Sequence, residues 1–147
     1  MAGRTAAEAV NNFLTPLQRA LSCVTLEVPS VGGGYHVSPM SDPPHVLLFQ
    51  NNPVILGHDK RFALKLIQQY RVVEDEGERG PWKVSTVAYY YTLEIPGPAR
   101  QEVLGYHWHP QERNAITYPH LHLYLYQGAG VLQPNLLKAH LPQRVLP

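Results

Sequence analysis

Apolar residues fall on alternate positions through the middle of the chain. In "RFALKLIQQYRVV" (61–73), Phe62, Leu64, Leu66, Tyr70 and Val72 alternate with mostly polar neighbours. That period of two marks a strand with one buried face. A helical stripe of Phe62, Leu66, Tyr70 and Val73 also fits, but the flanking sequence favours the strand. "EDEGERGP" (74–81) is a turn-forming tip, and "WKVSTVAYYYTLEI" (82–95) is a strand with Val87, Tyr89, Tyr91, Leu93 and Ile95 on one face. After the turn "PGPARQ" (96–101), "EVLGYHWH" (102–109) is a further strand. A loop over 110–119 then leads to "YPHLHLYLY" (118–126), and "HVLLFQ" (45–50) reads as a short buried strand.

The N-terminal region has a different period. Thr5 and Glu8 have capping-box spacing, and Ala6, Ala9, Val10, Phe13 and Leu14 follow on one helical face. Pro16 interrupts, and Thr15-Pro16 offers a second helix start. The pattern predicts two short helices, or one broken helix, over 5–22. "SCVTLEV" (22–28) is rich in β-branched residues and predicts a strand. "SVGGGYHVSP" (30–39) reads as a loop. Its glycine triplet lacks the following helix and lysine of a phosphate cradle. The expectation is a single α+β domain over 1–147, an N-terminal helical segment packed on an antiparallel β-meander sheet.

Composition narrows the function classes. The chain of 147 residues is 44% hydrophobic and 16% charged, as globular domains are. Twelve Lys+Arg against 11 Asp+Glu leave no strongly basic face for nucleic acid, although local contact with RNA or a nucleotide stays compatible. A single cysteine, Cys23, forms no internal disulfide and fits a reducing cytoplasm. No apolar run approaches a membrane span, and the N-terminus has no signal-like apolar stretch. Fourteen prolines and 11 glycines imply many turns.

Candidate chemistry concentrates in "YHWHPQERNAITYPHLHLYLY" (106–126). Four of the eight histidines, His107, His109, His120 and His122, form two His-x-His pairs there. Alternation puts Leu104, Tyr106 and Trp108 on one face of the first strand, with His107 and His109 on the other. In the second strand Leu121, Leu123 and Leu125 oppose His120, His122, Tyr124 and Tyr126. With the apolar faces turned to the core, all four imidazoles share the far face. If His109 pairs with His120, then His107 pairs with His122, with Cβ atoms roughly 5 Å apart.

Three chemistries suit such a square. Paired imidazoles near their pKa can act as general base and acid in metal-independent phosphodiester cleavage, with Arg113 or Tyr124 stabilising developing charge. Neutral imidazoles can also bind zinc or another transition metal, although no cofactor is required by the first chemistry. A histidine can also act as nucleophile. His36, His45, His58 and His140 stand isolated, and a purely structural sheet face or a protein-interaction surface fits the same aromatic composition.

"WKVSTVAYYYTLE", "GYHWHPQ", "YPHLHL" and "HLPQRV" together resemble a family of small bacterial proteins that has no established activity. More distantly, His109-Pro110 and Pro119-His120, following a tyrosine-rich strand, resemble TumE-type toxins of toxin–antitoxin systems. That resemblance implies a cytoplasmic toxin-like protein acting on RNA or nucleotides and neutralised by an antitoxin-like partner. "HLHLYLY" is similar to the motif of histidine-triad nucleotide hydrolases, which implies His122 as nucleophile. "HWHPQE" is similar to part of the cupin metal motif.

Overall fold

The computed structural model describes residues 2–75, 77, 80–98, 101–110, 117–124 and 141–142. Among them are one helix, α1 (Ala6–Leu21), and nine strands: β1 (Ala2–Gly3), β2 (Ser30–Gly32), β3 (His45–Leu48), β4 (Val54–Leu56), β5 (Phe62–Glu74), β6 (Trp82–Ile95), β7 (Gln101–Trp108), β8 (His120–Leu123) and β9 (Leu141–Pro142). The strands form one sheet in the order β2-β3-β5-β6-β7-β8-β9, with β1 on β6 and β4 on β5. Every pairing is antiparallel. The α+β architecture and the β5–β8 meander are as the alternation implied. None of the described helices is long and apolar enough to cross a membrane.

The helix begins at its expected cap. Thr5 Oγ1 accepts the Glu8 backbone N–H at 3.1 Å, while the Glu8 carboxylate accepts from the Arg4 N–H at 2.9 Å. Pro16, however, does not break it: one helix of 16 residues runs through that position. Pro16 and Asn12 both lie on the exposed side, so the Asn12 carbonyl that loses its helical donor is open to water. Ala9, Val10, Leu14 and Leu21 pack beneath the helix against Leu47, Phe49, Val54, Leu66, Tyr70, Val72 and Val84.

Two expectations near the N-terminus fail together. Residues 22–28 are not a strand; Val24, Leu26 and Val28 are 50%, 98% and 69% exposed. The first part of that segment continues the helix end, with Val24 N–H and Thr25 N–H both donating to Leu21 O. Pairing passes instead to Ser30–Gly32, inside the stretch read as a loop. Strand propensity describes how a side chain fits a half-buried sheet, and it forms no ladder where no neighbouring edge is available.

β6 carries two irregularities in register. The pairing with β5 skips Val87, so the face shared by Tyr89, Tyr91 and Leu93 continues through Thr86 and Val84 rather than through Val87. The pairing with β7 skips Val103. The helix packs on β1, β5 and β6 and leaves β7 and β8 outside its footprint.

Candidate functional site

The histidine strands sit beyond the helix, and sheet register determines what surrounds them. On one face, Ile67, Tyr90, His107 and His120 form a row across β5, β6, β7 and β8. The next row is Lys65, Thr92, Gly105 and His122. His107 therefore opposes His120, not His122, and His109 lies past the end of β7. The shift from the expected register is two residues. A shift of two preserves sidedness, so all four imidazoles keep one face, as alternation required.

Their burial is the reverse of expectation. His109, His120 and His122 are 8%, 2% and 9% exposed, whereas Leu121 and Leu123 on the other face are only half-buried. The aromatic side of β6 and β7 forms its own stack, with Tyr89 5.1 Å from Tyr91, 5.2 Å from Tyr106 and 6.0 Å from Trp108 between ring centroids. The "apolar" side of these strands is thus an aromatic surface, and the imidazole side is the enclosed one.

The rings form one contiguous cluster. Centroid separations are 4.7 Å for His120–His122, 5.0 Å for His107–His122, 5.3 Å for His109–His120 and 6.1 Å for His107–His120. His109 stacks on Tyr90 at 5.4 Å with 6° between planes. One ligating nitrogen from each of His107, His109 and His120 can be chosen such that all lie within 4.8 Å of one another. Gly105 makes room for this packing. A Cβ there would stand 2.8 Å from His107 Nε2 and 3.2 Å from Cε1, closer than side chains tolerate.

Orientation is fixed from outside the cluster. His120 Nδ1 lies 3.0 Å from the Tyr118 carbonyl oxygen. A carbonyl only accepts, so Nδ1 carries the proton and Nε2 keeps its lone pair. Thr92 Oγ1 stands 3.5 Å from His107 Nε2, a long contact.

The neighbouring groups expected as helpers divide. Tyr124 stacks on His122 at 6.2 Å, and its hydroxyl hydrogen-bonds the Glu102 carboxylate; burial first, then Glu102, pushes its pKa up to about 12. It remains protonated at neutral pH and so is a donor. Arg113 lies outside the described residues, as do His140, Leu125 and Tyr126. Sequence reasoning missed Glu94 and Glu102. Glu94 is 5% exposed on the imidazole face of β6, where Tyr90, Thr92 and Glu94 alternate. That polar alternation on an otherwise apolar strand was the available signal.

Desolvation holds the His107 pKa below its ordinary 6.5; nearby Glu102 opposes the shift, while His120, His109 and Lys65 reinforce it. The sign for stability follows from proton binding. Below about pH 6.5 the unfolded chain takes up a proton that folded His107 resists. This contribution is complete above pH 6.5 and is lost as pH falls toward the lowered native value. We expect the melting temperature of chelator-treated protein to fall between pH 7.5 and pH 5, and to fall less in His107→Gln. An equal decline in the two proteins would contradict the assignment.

No family model matches this chain, and no curated protein or solved structure matches it. The site is a histidine cluster on adjacent strands, with His109, His120 and His122 buried.

Proposed function

We propose that this cluster is a transition-metal site, with His107, His109 and His120 as ligands and zinc as the ion. The observation that carries this reading is the approach of three ligating nitrogens to within 4.8 Å of one another. On a tetrahedral zinc, with zinc–nitrogen bonds of about 2.0–2.1 Å, two nitrogens stand about 3.3 Å apart. The three nitrogens would draw together by up to about 1.5 Å to share one ion. An imidazole set suits zinc, copper or nickel, and zinc accepts three imidazoles without a geometric demand of its own. The His120 Nδ1–H bond to Tyr118 O is the kind of outer contact that orients a metal-bound histidine. The burial of His109 and His120 fits an ion held within the fold.

Untagged protein is expected to carry stoichiometric zinc by mass spectrometry, and chelation to lower its melting temperature. An ion held at a hundred times its Kd contributes about 2.7 kcal/mol by mass action. A metal-free chain whose melting is indifferent to added zinc would refute the reading.

Metal-independent acid–base cleavage of RNA or a nucleotide is the second reading, and His107 favours it. A half-buried imidazole held neutral at pH 7 suits a general base, with a neighbouring imidazole as acid. The toxin-like role and the antitoxin-like partner implied by the resemblance belong to this reading. RNA or nucleotide cleavage that persists in chelator and disappears in His107→Gln would support it over zinc.

A further inference from the structure

Half of the large apolar side chains exposed among the described residues border a single cavity. They are Val24, Leu26, Val28 and Ile55. The cavity measures about 800 Å³ and lies between residues 22–28 and 51–58. Sheet register explains its place. Ala63 on β5 pairs with both Glu94 and Ile55, so β6 takes one edge of β5 and β4 the other. β3 and β4 follow one another along that second edge in the same direction. β2 flanks β3, with Ser30 opposite Leu48. Traced backward from Ser30, the chain heads along the line that would flank β4, and Leu26 falls level with Ile55 on that count. Among the described residues no pairing forms there. The cavity stands in its place, with the outer edge of β4 on one side and residues 22–28 on the other.

The size of the gap fits one strand. A strand takes about 4.8 Å of sheet width, about 10 Å through the sheet and about 3.4 Å of length per residue. A volume of about 800 Å³ therefore holds one strand of about five residues. The unpaired N–H and C=O groups of a sheet edge are a template for such a chain. Charge narrows the occupant further. Glu27 is the one carboxylate among the described residues lining the cavity, and no Lys or Arg lines it. Arg19, Lys60 and Arg61 are close in sequence but stand outside the lining, and Arg61 is paired with Asp59. Residues 20–59 contain no Lys or Arg, so a second copy docking through the same segment brings no counter-charge to Glu27.

We infer that the cavity receives an extended segment of another protein by strand addition to β4. That segment is apolar at alternate positions and carries a Lys or Arg opposite Glu27. Backbone pairing with β4 supplies the register, and Leu26, Val28 and Ile55 become covered. The site is separate from the histidine centre and does not depend on the metal reading.

The probe is a seven-residue peptide, blocked at both ends, that alternates valine with threonine and has lysine in place of the central threonine. It is titrated to about 1 mM, the weak end of specific binding, into the isotopically labelled full chain, and amide shifts are read by NMR. The amides of Leu26, Val28 and Ile55 are expected to shift together. Glutamate in place of the lysine should weaken binding about threefold, as for an exposed ion pair, and Glu27→Lys should reverse the preference. Glu27 is exposed, so that variant folds as wild type does. The same peptide N-methylated at alternate residues keeps its side chains, loses backbone donors and should not bind. Equal binding of the methylated peptide would mean an apolar pocket rather than a strand slot, and would overturn the proposal. No binding at about 1 mM, or a preference that Glu27→Lys leaves unreversed, would also overturn it. So would backbone Overhauser contacts between residues 26–28 and 54–56 without peptide. Contacts that grow with protein concentration would assign the slot to a second copy, and constant ones to closure of the segment on β4.

Discussion

Replacing His120 with alanine is expected to abolish zinc binding and to destabilise the protein by about 2–4 kcal/mol, the range for truncating a large buried side chain and orphaning its hydrogen-bond partner. His120 is the least exposed of the four rings, at 2%. It pairs with His107 across the ladder and lies 5.3 Å from His109 and 4.7 Å from His122. Its removal leaves a cavity in the middle of the cluster and leaves Tyr118 O without the Nδ1–H donor. Two ligands then remain, too few for a tight site. Urea melts of the metal-free proteins give the stability change, and metal analysis gives the stoichiometry. Stoichiometric zinc in the alanine variant would exclude His120 from the ligand set.

Gly105→Ala is expected to separate those two effects. The added methyl would meet His107 Nε2 at 2.8 Å, and the ring tip is the flexible end of its side chain. The imidazole rotates away rather than the strand breaking. Gly105 has no positive φ to protect, and alanine costs a strand less entropy than glycine. Stability of the metal-free protein should therefore change by less than about 1 kcal/mol, while zinc affinity falls by about a hundredfold, the upper range for disturbing the surroundings of a metal ligand. A variant that binds zinc as tightly as wild type would show that His107 does not need its place above Gly105.

Much of the arrangement was readable from alternation. The long strands β5, β6 and β7, the meander order through β8, and the common face of His107, His109, His120 and His122 all follow from a period of two. Register was not readable to the same depth. A slip by one residue would have scattered the imidazoles, so pattern excluded it, but a slip by two leaves the pattern unchanged. Burial was misjudged for a related reason. Hydropathy assigns leucine inward and histidine outward, yet α1 does not reach β7 and β8, so nothing under the helix claims Leu121 and Leu123. The short strands β1, β2 and β4 have two or three residues each, too few to show a period. Residues 22–28 carried strand composition without an edge to join. Glu94 escaped notice because an acidic residue near a strand end reads as solvent-facing.

β6 has a consequence for how the molecule tolerates change. One of its faces carries Val84 and Tyr91 in the packing around α1, and the other carries Tyr90, Thr92 and Glu94 beside the imidazoles. The partition between the oily chamber and the ionisable one is a single layer of backbone. A methyl group added or lost under the helix displaces that partition directly, with no loop between to absorb the movement. Sequence drift in the hydrophobic interior and tuning of the histidine chamber are therefore one problem for this fold, written on opposite sides of the same strand.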